Sequence, residues 1–165
     1  MITVEEIMRM QKHLLLIRRA VGWTAESFGE RIGVTRQTIN NIESGRNKLT
    51  KTQYIAMRSV LDAEIAQSPD DTQMLKMLLE ILIDHPEKYS EATREDLLSK
   101  ANIMAPSILS GSSSRLDVSK AWIAAAGAVI GGAMLFPLGI PIVAPLISGT
   151  WLAKILHDKS EKGKR

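Results

Sequence analysis

The 165-residue chain contains no cysteine, which removes disulfides and thiolate metal sites and fits a reducing compartment. Its three histidines, His13, His85 and His157, are scattered without ligand spacing. Each reads as a surface or boundary residue, and no metal site is expected. The sequence shows no nucleophile–base pair and no phosphate-binding glycine loop, so we expect neither a cofactor nor an enzyme. The first ten residues carry Glu5 and Glu6 and no apolar run, so a secretory leader is not expected and the N-terminal part is placed in the cytoplasm. The net charge of +3 is too small to announce a nucleic-acid partner by itself. The largest absence is local: from Ala121 to Ala153 there is no charged side chain.

Charge is distributed in regimes. Residues 1–66 hold ten Lys/Arg and seven Asp/Glu, residues 67–120 hold six and nine, and the last twelve hold five and two. The shifts suggest separate functional regions.

The most informative stretch runs from Thr24 to Lys48. It opens with a short amphipathic helix whose inward positions are Phe28 and Ile32. Gly33 follows where a C-terminal cap needs positive φ. Thr35 offers a hydroxyl cap to a second helix with apolar Ile39 and Ile42 three apart, and Ser44-Gly45 closes it. Two short helices joined by a tight, Gly-containing turn make a helix-turn-helix. The second helix carries Arg36, Gln37, Thr38, Asn40 and Asn41 on or near its first turns. Arg is the usual bidentate partner of guanine, and Gln and Asn of adenine, so these five are the candidate base readers. Arg46 and Lys48 follow on a Gly-containing loop, where cations meet phosphates.

Residues 14 to 61 resemble the phage-repressor family of helix-turn-helix domains, the Cro/repressor or xenobiotic-response-element type, with Gly33, Thr35, Ile39, Ile42 and Gly45 in register together. The resemblance implies double-stranded DNA as partner, binding as a homodimer or higher homo-oligomer, and a structural ion pair between Arg18 and Glu43. The chain departs from the family pattern at Ala25, where many members carry a phosphate-contacting Gln, and at Leu49, near a position often held by Pro.

Around this motif the chain reads as helical throughout. Thr3 and Glu6 have capping-box spacing, and a helix to about Val21 places Ile7, Met10, Leu14 and Ile17 on one face, closed by Gly22. Thr50 or Thr52 can cap a further helix that offers Tyr54, Ile55, Met57, Val60 and Leu61 to the core. These elements form a first domain, residues 1–66. Ser68-Pro69-Asp70-Asp71 reads as a new helix start. The helix it opens, rich in Met and Leu from Met74 to Ile83, has an apolar face too wide to stand uncovered. His85-Pro86 stops it, and Ser90 caps a second helix to about Met104 with Leu97, Leu98 and Ile103 inward. This hairpin, residues 67–104, is a candidate dimerisation element. Pro106 and the run Ser110-Gly111-Ser112-Ser113-Ser114 make residues 105–119 read as a flexible linker.

Residues 120–157 are read as a hydrophobic hairpin. Its halves, about Val118–Phe136 and Ile142–His157, are broken by Phe136-Pro137-Leu138-Gly139-Ile140-Pro141 and stand near the lower limit for crossing a bilayer. Trp122 and Trp151, beside Lys120 and Lys154, fit an interface level with both ends cytoplasmic. Gly127 and Gly131 have the spacing of close helix contact in lipid. A basic tail, residues 158–165, follows. The expectation is an all-α protein: a repressor-type helix-turn-helix bundle, a helical hairpin and a C-terminal hydrophobic hairpin that anchors it to the cytoplasmic face of the membrane. Its function would be sequence-specific DNA binding in transcriptional regulation. The alternative is a soluble structural or interaction protein that self-assembles through the Ala/Gly-rich hairpin and uses DNA for tethering.

Overall fold

The computed structural model describes residues 1–130. Residues 131–165 lie outside the described residues, and with them Gly131, the Phe136–Pro141 break, the second half of the hydrophobic run with Trp151 and Lys154, and the basic tail. The described chain is all-helical: α1 (Val4–Val21), α2 (Ala25–Ile32), α3 (Arg36–Glu43), α4 (Lys51–Gln67), α5 (Gln73–Leu79), α6 (Glu91–Met104), α7 (Pro106–Leu109) and α8 (Arg115–Ile130). A π-helical turn, Glu80–Asp84, extends α5 directly, and a short 3-10 turn, Pro86–Lys88, leads on to α6.

Local chemistry sets most of these boundaries. Thr3, Thr24, Thr35, Thr50 and Ser90 each accept a backbone N–H three residues on, satisfying one orphan donor of the helix they open. At Thr50 the reciprocal bond from Gln53 completes a capping box. At Thr3 it does not form, because the Glu6 carboxylate instead accepts the Tyr54 hydroxyl across the bundle. Gly33 ends α2 at φ 77°, a conformation costly for any residue with a Cβ.

The long first helix is the centre of the molecule. Met10, Leu14 and Ile17 are fully buried on it. It packs against α3 and α4 and also against α5, the π turn, α6 and α7, so the helix-turn-helix and the helices after it share one core. Two arginines tie the parts together. Arg58 on α4 meets the Asp84 carboxylate at 2.6 and 3.1 Å, and Arg9 on α1 donates twice to the Ile83 carbonyl at 2.7 and 3.0 Å.

The structure departs from the sequence reading after residue 67. Ser68 and Pro69 do not open a helix; α5 begins at Gln73. Thr72 turns its hydroxyl back to the Ser68 carbonyl (2.7 Å), and Asp71 is held by Arg115 and Ser119, which fixes the segment as a turn. The wide apolar face of α5 and the π turn is covered within the chain by α1 and α8, with Leu75, Met77, Ile81 and Ile83 fully buried. Ile103 and Ile55, expected inward, are exposed at 77% and 45%.

Residues 105–119 are not a free linker. They hold α7 and the first turns of α8, and the Arg115 guanidinium spans the Val21 carbonyl (3.1 Å), Asp71 (3.0 Å) and Glu64 (2.8 Å). Ser and Gly composition suggests looseness, but three acceptors from distant segments fasten it. The start of the hydrophobic run, as far as Ile130, is likewise drawn into the bundle. Val118, Trp122, Ile123 and Ala126 of α8 are buried against α5 and α6, with Trp122 fully enclosed. The indole expected at a membrane interface is therefore a core residue. Among the described residues no helix is long and apolar enough to cross a membrane.

Candidate nucleic-acid interface

The interface is built by α3 and the loop that follows it. Two buried side chains, Ile39 and Ile42, pin α3 to the core and turn its polar positions outward. Arg36 and Gln37 are exposed; Thr38, Asn40 and Asn41 are half-buried. Thr38 is engaged by the Thr35 cap, its N–H at 3.1 Å and its hydroxyl at 3.0 Å. Gln37 donates to the Asn41 side chain at 3.0 Å, one turn away, which holds the two amides in a fixed relation on the surface. The turn between α2 and α3 is tight enough that a Cβ at Gly29 would stand 2.6 Å from the Val34 carbonyl oxygen, a contact only glycine avoids without a backbone shift.

The rear of α3 is clamped by an ion pair. Arg18 Nε lies 2.5 Å from Glu43 Oε1, and a second guanidinium nitrogen lies 3.1 Å from Oε2, while the third donates to the Trp23 carbonyl at 3.0 Å. Both side chains are about nine-tenths buried, 10% and 9% exposed. The fork geometry satisfies all three directions of the guanidinium, so a charge at the base of α1 is stabilised as it braces the end of α3. Beside it Arg31 stacks over Trp23 at 4.0 Å.

The loop from Ser44 to Thr50 carries Arg46 and Lys48, both exposed. Gly45 at φ 77° reverses the chain, and the Asn47 N–H returns to the Asn41 carbonyl at 3.1 Å. Leu49, standing near the position where a proline is common, is buried and pins the far end of the loop.

Sequence reasoning missed Gln11. From α1 its side-chain amide donates to the carbonyls of Ile42 (3.0 Å) and Asn47 (2.7 Å) and accepts from the Leu49 N–H (3.0 Å). One side chain thus satisfies the end of α3 and both sides of the cationic loop. The only signal was an amide one residue from buried Met10 in an otherwise apolar helix face; its partners are more than thirty residues away.

The arrangement presents a short rigid helix with amide and guanidinium groups outward, flanked by a fixed loop with two cations. Among the described residues no cluster of three or more His, Asp or Glu could hold a metal ion. Residues 14–67 match the family model described as helix-turn-helix, of the Cro/C1, phage-repressor-like type. No curated protein and no solved structure matches the chain.

Proposed function

We propose that the protein is a sequence-specific DNA-binding transcriptional regulator in which α3 enters the major groove. The observation that carries this reading is α3 itself, pinned by Ile39 and Ile42, capped by Thr35, and placed within a segment matching the helix-turn-helix family. In this motif the second helix reads base edges from its N-terminal residues. Arg36, Gln37, Thr38, Asn40 and Asn41 are assigned to bases, with Arg36 suited to guanine and the Gln37–Asn41 pair to adenine. Arg46 and Lys48 are assigned to phosphates, where they add affinity without sequence information. The chemistry is binding rather than catalysis.

One eight-residue helix contacts only a few base pairs, so a homodimer on two half-sites roughly 34–36 Å apart supplies the remaining discrimination. Selection from a randomised duplex pool tests the reading. A regulator enriches a two-fold motif bound about 10³-fold or more over random DNA. A preference near unity leaves only the tethering role, in which DNA binding serves to localise an assembly.

Attachment to a bilayer is the finer part of the proposal, and it rests on sequence. Residues 131–153 are uncharged and number enough to cross once. Because α8 belongs to the folded bundle, a span would follow it rather than include Trp122. Recovery of the full chain with the membrane fraction, extractable only by detergent, supports this; recovery without detergent refutes it.

A further inference from the structure

A second site stands apart from the DNA face, in the crevice between α1 and α6. Arg9, Lys12 and His13 line it from α1, Leu82 from the π turn, and Arg94 with Glu91 and Glu95 from α6, around a cavity of about 200 Å³. Its cations are not spent on each other's counter-charges. Among the described residues no carboxylate lies within ion-pair distance of Arg9, Lys12 or Arg94. Arg9 uses its guanidinium on a backbone carbonyl, and the Arg94 Nε is buried with no hydrogen-bond partner. An unsatisfied, desolvated guanidinium N–H is costly, and native proteins leave few such groups without a reason.

We propose that this crevice binds a small oxyanion, a carboxylate or a phosphate, held by Arg94 and Lys12 with Arg9 behind. Three cations against Glu91 and Glu95 leave a modest positive balance, which suits a compact anion of low charge rather than a nucleic-acid backbone. The His13 imidazole, kept neutral by burial and by Lys12 beside it, adds a hydrogen-bonding group without adding charge. An occupant would join α1 to α6 directly, and α1 is the helix that also carries Gln11 and Arg18.

Calorimetric titration of the full chain without DNA tests the site, with inorganic phosphate and succinate as separate probes and chloride at matched ionic strength as baseline. Saturable binding of one probe, with a Kd below about 1 mM, is expected, and the probe that binds identifies the source of the oxyanion. Arg94→Gln should weaken it at least tenfold and Lys12→Gln severalfold, while Lys100→Gln, on α6 outside the crevice, should leave it unchanged. Lys12 is exposed, so its variant stays informative if Arg94→Gln disturbs folding. Absence of saturable heat with both probes, or Arg94→Gln and Lys12→Gln variants that bind like the parent, overturns the proposal. Operator binding measured in parallel keeps this outcome separate from that of the DNA reading.

Discussion

Arg18 and Glu43 form a forked ion pair between α1 and the last residue of α3, with both side chains withdrawn from water. Removing one partner of a buried pair leaves the other charge uncompensated, which costs about 3–5 kcal/mol. Arg18→Ala should therefore lower the urea midpoint of the full chain by a corresponding amount. The double replacement Arg18→Met, Glu43→Leu should recover much of the loss, since neither charge is then stranded. A midpoint unchanged in Arg18→Ala would mean that the pair does not brace the fold.

Gln11 fixes the backbone of the loop that carries Arg46 and Lys48. Gln11→Ala frees the carbonyls of Ile42 and Asn47 and leaves the Leu49 N–H without its acceptor. The expected loss is about 1–2 kcal/mol of stability. Affinity should fall alike for all DNA sequences, with a shallower salt dependence, because Arg46 and Lys48 lose their fixed placement. Fluorescence anisotropy at several salt concentrations reads this. A loss confined to the preferred site would contradict the clamp.

His13 gives the fold a pH dependence. Burial, and then the Lys12 charge, lower its pKa to about 4, against about 6.5 in the unfolded chain. Between these values the unfolded state binds the extra proton. Its contribution is therefore complete above about pH 6.5 and is lost progressively as pH falls towards 4. The stability difference between the parent and His13→Gln should narrow or reverse across that window in urea titrations. A difference independent of pH would place His13 in water.

Trp122 separates a core α8 from a membrane-facing one. Trp122→Ala should cost about 3–5 kcal/mol in the full chain. Trp122→Phe should cost far less, because it keeps most of the ring volume and removes an indole N–H that is buried without a partner. An Ala variant as stable as the parent would put the indole outside the bundle.

What was legible in the sequence was whatever short-range chemistry determines. Thr35, Gly33 and the Ile39–Ile42 spacing specify α3 from within a dozen residues, and Ser90 and Gly22 mark helix ends in the same way. What stayed hidden depends on distant partners. Arg115 orders the stretch read as a linker through Val21, Glu64 and Asp71, 44 to 94 residues away. The uncharged residues of α8 have the composition of a membrane segment and of a buried core helix alike. Only the apolar surfaces of α5 and α6 decide between them, by packing against α8 and enclosing Trp122. The same limit concealed Gln11, whose role depends on a loop that folds back beside it.

Base reading by α3 and phosphate contact by the loop are separable in one comparison. The direct measurement compares Kd for the selected operator and for random duplex, at one salt concentration, in Arg36→Ala, Gln37→Ala and Arg46→Ala. Arg36→Ala and Gln37→Ala should each lose about 1–3 kcal/mol on the operator while Gln37→Ala keeps its affinity for random DNA, and Arg46→Ala should weaken both duplexes equally. Arg36→Ala and Gln37→Ala variants that hold the operator as tightly as the parent would contradict base reading by α3.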